Sequence, residues 1–342
     1  MTSRERVFRC IEFDHPDRAP RELWWIPIAQ IEHGQARLDA FRKHWPSDFD
    51  TPFIEQKGLR SLIKGDAYAL GTFQDAWGCV FENVQAGVHG EVKHPILDDW
   101  SKLEDFRPPY ALLDLDIEGI NAQARKLDTF RLSACTPRPF ERLQFLRGTE
   151  NLMMDLLEDS AEMHELLRIV HEFFVREAEL FATKLEIDAL FFMDDWGSQR
   201  ALLIDPKIWR KVFKPLYAEY VKIAHDNGKK AFMHSDGHIE AIYPDLIEIG
   251  VDAINSQLFC MDIEEIGRRF KGKITFWGEI DRQHVLPYGT PDEARAAVGR
   301  VVKNLWSPEG GVIAQFELTA GSKMANAEAI FETFDQLTTV KR

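Results

Sequence analysis

Short apolar runs alternate with longer amphipathic windows along the second two thirds of the chain. Six runs have the length and composition of strands, at residues 130–135, 189–193, 230–233, 253–254, 274–277 and 312–316. Apolar positions recur at helical spacing over residues 151–158, 163–185, 206–227, 239–249, 263–270 and 291–305. This alternation is typical of βαβ units and predicts a parallel sheet.

The first third of the chain has a less regular pattern. We predict a helix at 4–13, ended by the prolines at 16 and 20, then a strand at 22–28 and a helix at 35–45. Glycines between residues 71 and 90 separate short alternating segments and predict a β-rich insertion over about 52–97. Adding one more strand in this half gives a total of about eight strands. We expect them to form a single domain of residues 1–342.

Two observations favour a closed barrel over a doubly wound sheet. Neither GxGxxG nor GxxxxGK[ST] occurs, although a nucleotide-binding doubly wound sheet carries such a turn after its first strand. Polar residues follow almost every predicted strand: Thr136 and Arg138, Asp194 and Asp195, His234 to Asp236, Asn255 and Gln257, Glu279 and Asp281, Gln315 and Glu317. A (β/α)8 TIM barrel builds its site from those strand ends, so we predict that α/β fold, with the N-terminal β-rich elaboration.

Composition excludes several classes of function. With 42 Lys and Arg against 56 Asp and Glu, the net charge of −14 disfavours nucleic acid and anionic membrane surfaces as partners, although many enzymes are acidic for solubility alone. No apolar run reaches membrane-spanning length and no signal core follows Met1, so we expect a cytoplasmic protein. The four cysteines lie far apart, which favours reduced thiols. The oligomeric state is open, a homodimer included.

The strongest metal-binding pattern follows the strand at 230–233. His234 and Asp236 are two residues apart, so on an extended backbone both side chains face one site. An imidazole and a carboxylate with a third ligand from a neighbouring strand form an open catalytic metal site. We favour Glu317 as the third ligand, with Gln315 and Glu279 as alternatives. A metal-free His–Asp pair that orients a substrate is the competing interpretation.

Adjacent carboxylates end the strand at 189–193. Since neighbours on a strand point to opposite sides, we expect one of Asp194 and Asp195 to face the barrel axis and the other to cap the following helix. The inward carboxylate would act as general acid or base, or bind substrate. A structural ion pair with Arg200 or Arg282 is the alternative. We also expect Glu279 to border the site.

Aromatic and amide side chains supply candidate substrate contacts. Asn255 and Gln257 follow a strand, and the tryptophans near strand ends would form a flat apolar wall for a planar substrate, or else pack in the core: Trp24, Trp25, Trp77, Trp196 and Trp277.

Five segments together resemble the uroporphyrinogen decarboxylase superfamily over essentially the whole chain. They are Arg4-Glu5-Arg6-Val7 with Pro16-Asp17-Arg18-Ala19-Pro20, Asp75-Ala76-Trp77-Gly78, Asp194-Asp195-Trp196, His234-Ser235-Asp236-Gly237 and Gly278-Glu279-Ile280-Asp281. The resemblance implies a (β/α)8 barrel and one of two activities. These are uroporphyrinogen decarboxylation, and methyl transfer as in cobalamin-dependent methyltransferases and corrinoid O-demethylases.

The sequence departs from the decarboxylases at two places. Where those enzymes carry two arginines that grip substrate carboxylates, this chain has the segment from Trp24 to Gln30 with none, and Ala69 stands at the position of their catalytic aspartate. The methyltransferase branch is therefore favoured. A decarboxylase or other carbon–carbon lyase, a hydrolase without corrinoid and a metal-free small-molecule-binding barrel are kept as alternatives.

The resemblance also suggests a ligand set. The methyltransferase branch binds zinc through His-x-Cys and a second cysteine about 77 residues later. Here Asp236 replaces the first cysteine, and Gln315 or Glu317 stands near the second position. Loss of both thiolates makes the ion harder, which disfavours a thiol as methyl acceptor and favours a methoxy or other O- or N-methyl donor. Asp194 and Glu279 would position or protonate substrate. No corrinoid motif lies in the chain, so a corrinoid protein partner would bring the cobalamin.

Overall fold

Eleven strands occur in the part of the chain that the computed structural model describes, residues 1–54 and 56–340. In chain order they are β1 (Arg21–Trp25), β2 (Phe49–Asp50), β3 (Gly71–Gln74), β4 (Val80–Asn83), β5 (Glu91–Val92), β6 (Phe130–Cys135), β7 (Ala189–Met193), β8 (Lys230–Ser235), β9 (Ala253–Ser256), β10 (Thr275–Trp277) and β11 (Val312–Leu318). Eight of them form one parallel sheet in the order β1-β11-β10-β9-β8-β7-β6-β2. The sheet curls into a nearly closed barrel, so the predicted (β/α)8 fold is confirmed.

Helices surround the barrel. They are α1 (Ser3–Ile11), α2 (Pro27–His33), α3 (Gln35–His44), α4 (Leu59–Leu62), α5 (Ile117–Ala124), α6 (Pro139–Arg147), α7 (Thr149–Glu158), α8 (Ala161–Lys184), α9 (Pro206–Val212), α10 (Lys214–Asp226), α11 (Tyr243–Ile249), α12 (Ile263–Phe270), α13 (Val285–Tyr288), α14 (Pro291–Leu305) and α15 (Met324–Thr338). None of the described helices combines the length and apolar character that crossing a membrane requires.

The edges of the sheet, β1 and β2, meet at Asp48. The Asp48 backbone N–H donates to the Arg21 carbonyl at 2.9 Å, and the Asp48 carboxylate accepts from the Arg21 N–H at 2.8 Å. Arg6 and Arg18 also donate to this fully buried carboxylate, at 2.6 and 2.8 Å. One charged side chain therefore joins the two edges of the barrel and the N-terminal segment.

Strands β3, β4 and β5 form a separate antiparallel sheet within residues 71–92. This sheet lies inside the insertion expected at 52–97, and its Phe81 packs on Phe145 of α6 with ring centres 5.1 Å apart. The inserted segment is thus held against the outside of the barrel by aromatic packing.

Several element boundaries differ from the sequence-based expectations. The helix expected at 206–227 is two helices, α9 and α10, which are interrupted at Phe213 ahead of Pro215. Proline has no N–H to continue the helical ladder, which explains the break. Strand β8 extends to Ser235, so His234 belongs to the strand itself. Six helices were not among the expected elements: α2, α4, α5, α6, α13 and α15.

Candidate active site

A cavity of about 860 Å³ opens at the carboxyl ends of the barrel strands. Trp24 and Trp25 of β1 and Phe191 of β7 form apolar walls, and Tyr68 and His89 from the insertion cover one side. The remaining lining residues are Leu23, Ile26, Arg42, Val88, Cys135, Met193, Asp195, His234, Asp236, Arg282 and Glu317. This volume is in the range of small-molecule sites, and the walls suit a planar apolar ligand.

Three side chains converge on one point of the cavity wall. The His234 Nε2 atom lies 3.5 Å from an Asp195 carboxylate oxygen and 3.6 Å from Asp236 Oδ1. One potential ligand atom from each of the three lies within 4.8 Å of the others. The Asp195 carboxylate also accepts the Asp236 backbone N–H at 2.9 Å, which links the ends of β7 and β8.

Asn255 at the end of β9 determines how His234 presents its ring. The Asn255 Nδ2 group donates to the Trp277 carbonyl at 2.5 Å and to Gln315 Oε1 at 3.0 Å. Its Oδ1 atom, 2.6 Å from His234 Nδ1, is therefore an acceptor. Nδ1 must then carry a proton, which leaves Nε2 directed at the carboxylates.

The donor set of this cluster fits a divalent cation. Two carboxylates and a neutral imidazole are ligands of open catalytic zinc sites, and the N–H of the second imidazole nitrogen is held by an oxygen, as in many metal sites. Asp236 Oδ1 is buried and has no hydrogen-bond partner among the described residues. Burial alone would lower the pKa of His234, but Asp195 and Asp236 outweigh it and raise it to about 9. The space between the three side chains therefore attracts positive charge.

Arg282 occupies the neighbouring space. Its guanidinium donates to Asp236 Oδ2 and to Glu317, and its Nε lies 3.4 Å from Glu279. Burial raises the pKa of Glu279 to about 8 against the opposing effect of Arg282. Glu279 and Gln257 border a small cavity of about 40 Å³ next to the main one.

The structure brings Trp25, Asp195, His234, Asp236 and Glu317 together on the main cavity. Glu317, favoured from the sequence as the third metal ligand, is bound by Arg282, and Asp195 takes its place in the cluster with His234 and Asp236. Gln315 does not line it, because Gln315 is fully buried and its side-chain oxygen accepts from Asn255. Asn255 lies behind His234 and does not line the cavity either.

Asp194 points away from the cavity, whereas Asp195 lines it, so the two side chains face opposite sides as expected. The helix that Asp194 caps is not the expected one. The Asp194 carboxylate accepts the N–H groups of Phe140 and Glu141 at 3.0 and 2.7 Å and the Tyr217 hydroxyl at 2.6 Å. It therefore caps α6, which precedes β7, and not the following helix. Burial and the Glu141 charge raise the pKa of Asp194, and these donors oppose the rise.

Three tryptophans proposed for the substrate wall lie elsewhere. Trp196 is fully buried and stacks on Phe140 at 4.0 Å. Trp77 packs on Phe173 of α8 at 4.8 Å. Trp277 is buried beneath Trp24 and donates its indole N–H to Glu22 at 2.6 Å. Core packing, the alternative interpretation, describes all three.

Sequence reasoning missed the lining residues contributed from outside the barrel strands. Arg42 of α3 stacks over Trp25, with its guanidinium carbon 4.1 Å from the ring centre. Tyr68 and His89 come from the insertion. No local pattern marks these residues, because their positions depend on how α3 and the insertion pack over the barrel.

The chain belongs to the uroporphyrinogen decarboxylase family. The family model described as uroporphyrinogen decarboxylase (URO-D) matches residues 69–337. No curated protein sequence matches the chain.

Among solved structures, a methyltransferase from Methanosarcina mazei is similar to the chain with a TM-score of 0.69 and 14% identity, covering 98% of this chain and 99% of the other. A D-psicose 3-epimerase determined in the presence of D-fructose gives a TM-score of 0.38 at 12% identity, covering 70% and 84%. A class V chitinase-type protein from Pseudomonas fluorescens gives 0.33 at 13% identity, covering 86% and 68%. The first likeness agrees with the barrel fold, and the other two are too weak to support an argument.

Proposed function

We propose that this protein is a metal-dependent methyltransferase that transfers a methyl group from a methoxy compound to a corrinoid carried by a partner protein. The observation that carries the proposal is the Asp195–His234–Asp236 cluster, with its unpartnered buried oxygen, on the wall of an aromatic cavity. The Methanosarcina mazei structure is named a methyltransferase, which supports the proposal.

Each part of the cavity has a role in this reaction. Asp195, His234 and Asp236 hold the metal, which we take to be zinc, and Asn255 fixes the imidazole. When bound, the metal polarises the oxygen of the methyl donor and makes it a better leaving group. Trp24, Trp25 and Phe191 bind the flat body of the donor.

The leaving oxygen keeps the electron pair of the broken carbon–oxygen bond and must take up a proton. Glu279 holds a proton at neutral pH because burial raises its pKa to about 8, but it does not line the main cavity, so we assign delivery of the proton to solvent water that enters this cavity. Arg282 separates Glu279 from the main cavity and contacts both.

The charges of the cavity support methyl transfer over decarboxylation of a tetrapyrrole. Asp195, Asp236 and Glu317 all line the cavity, and a substrate with many carboxylates would be repelled by them. Arg282, the arginine nearest to them, is already bound to two carboxylates. The cavity is better suited to a neutral ring and a cation.

Metal binding is the first test. After equilibration with zinc, the wild-type protein should hold one equivalent by elemental analysis. His234→Ala should lose it, because the imidazole is a ligand. His94→Ala, a change at a highly exposed histidine of the insertion, serves as the matched control and should retain it. Two results together would contradict the mechanism: wild type holds no stoichiometric metal, and His234→Ala keeps its activity.

Methyl transfer to free cob(I)alamin tests the reaction itself. A panel of methoxy-aromatic donors is added to the zinc-loaded protein, and cob(I)alamin consumption is followed by absorbance. At least one donor should react with wild type and the His94→Ala control and not with His234→Ala. The absence of a spectral change with every donor would leave the proposed reaction class without support.

A further inference from the structure

Arg282 stands between the proposed metal ligands and a third carboxylate, Glu317. We propose that Arg282 holds Glu317 out of the coordination shell, so that a metal on Asp195, His234 and Asp236 keeps an open position for substrate. The inference rests on the proposed metal site and assigns Arg282 as a positioning residue within it.

The two oxygens of Asp236 face different partners. Oδ2 accepts from Arg282 Nη2, whereas Oδ1 points at His234 Nε2, 3.6 Å away. The neighbouring Nη1 of the same guanidinium binds Glu317. Because both carboxylates bind one rigid planar group, Glu317 lies next to the metal ligands without joining them.

Charge balance explains why the arrangement is sensitive to Arg282. Asp195, Asp236 and Glu317 carry three negative charges, which a divalent cation and one guanidinium neutralise. The Glu317 side chain is only 14% exposed, so solvent compensates its charge poorly. If the guanidinium is removed, the metal becomes the nearest cation available to Glu317. The carboxylate should then move onto the metal and fill the open position.

A double-mutant cycle on cobalt binding tests this. Wild type, Arg282→Gln, Glu317→Gln and the double variant are titrated with Co²⁺ against a competing chelator, and visible spectra of the cobalt forms report coordination. Replacing Arg282 also removes the repulsion between its guanidinium and Co²⁺. This effect alone should tighten Co²⁺ binding equally with and without Glu317. If Glu317 moves onto the metal, Arg282→Gln should tighten Co²⁺ binding about tenfold more when Glu317 is present than when it is replaced. The cobalt spectrum should then change only in Arg282→Gln.

Each outcome has a distinct meaning. A coupling near onefold, or Arg282→Gln binding no tighter than wild type, overturns the inference while the metal site stands. Absence of cobalt binding in all four proteins overturns the inference and the proposed function together. Coupling without methyl transfer overturns the proposed reaction only. If Arg282→Gln does not fold, Arg282→Lys replaces it in the cycle, since a lysine lacks the fork that binds two carboxylates side by side.

Discussion

At the scale of single residues, two adjacent aspartates have opposite environments. Strand alternation predicts that Asp194 and Asp195 diverge, but not which one faces the cavity. That depends on the N-terminus of α6 and on Tyr217, groups more than twenty residues away in the chain. The same limit applies to His234: its spacing from Asp236 predicted a shared site, whereas its partnership with Asn255 required the packing of β8 on β9.

Matched asparagine variants should separate the two aspartates. Asp194→Asn should lower the free energy of unfolding by about 1–3 kcal/mol, because both carboxylate oxygens accept hydrogen bonds and the amide nitrogen that replaces one of them cannot accept. Asp195→Asn should change it by less than about 1 kcal/mol and should weaken zinc binding instead. Urea denaturation and zinc titration of both variants provide the measurements. A stable Asp194→Asn protein that has lost its metal would contradict this division.

At the scale of elements, helix α8 was predicted within two residues at each end, yet the pattern did not reveal the role of Glu177. This glutamate lies on the buried face of α8 among Phe173, Phe174 and Phe181. Its carboxylate accepts the Thr136 hydroxyl at 2.6 Å, and burial raises the pKa of Glu177 to about 7. Helical spacing identifies which face is buried, but a carboxyl group on that face is visible only in the folded chain.

The raised pKa of Glu177 predicts a pH-dependent stability. The folded protein holds this proton more tightly than the unfolded chain, so the contribution is complete below the unfolded pKa and is lost as pH rises towards 7. Between pH 5 and pH 8.5, Glu177→Gln should therefore gain about 2–3 kcal/mol of stability relative to wild type, because wild type loses this contribution over that range. Thermal or urea unfolding at the two pH values measures the difference.

Glu179→Gln, on the exposed side of the same helix, is the matched control for this experiment. It should show no such pH dependence relative to wild type. An equal advantage for Glu177→Gln at both pH values would mean that the Glu177 carboxyl is not the group that titrates.

At the scale of the whole molecule, the barrel could be predicted from strand–helix alternation and polar strand ends, but its closure could not. Strand β2 has only two residues, Phe49 and Asp50, too few to show any periodicity. The barrel is completed there by Asp48, whose partners Arg6, Arg18 and Arg21 come from three separate positions of the N-terminal segment. Such a junction has no signature in any short window of sequence.

Removal of the Asp48 carboxylate should destabilise the whole barrel. Asp48→Ala leaves Arg18 without its carboxylate partner and Arg6 with Asp17 alone, and it removes the acceptor of the Arg21 N–H, so we expect a loss of about 3–5 kcal/mol in the free energy of unfolding. Asp50→Ala, two residues further on at an exposed position, should cost less than about 1 kcal/mol. Denaturant unfolding of both variants compares them. Similar losses in the two proteins would show that Asp48 has no special role in closure.

The origin of the cavity wall affects how the protein can diversify. Asp195, His234, Asp236 and Glu317 belong to barrel strands or their immediate ends, where a substitution disturbs folding and chemistry together. Tyr68, Val88 and His89 belong to the insertion, whose strands pair only with each other in the described chain. Substitutions in the insertion can therefore alter the contacts to the ligand while the side chains of the reaction centre stay unchanged.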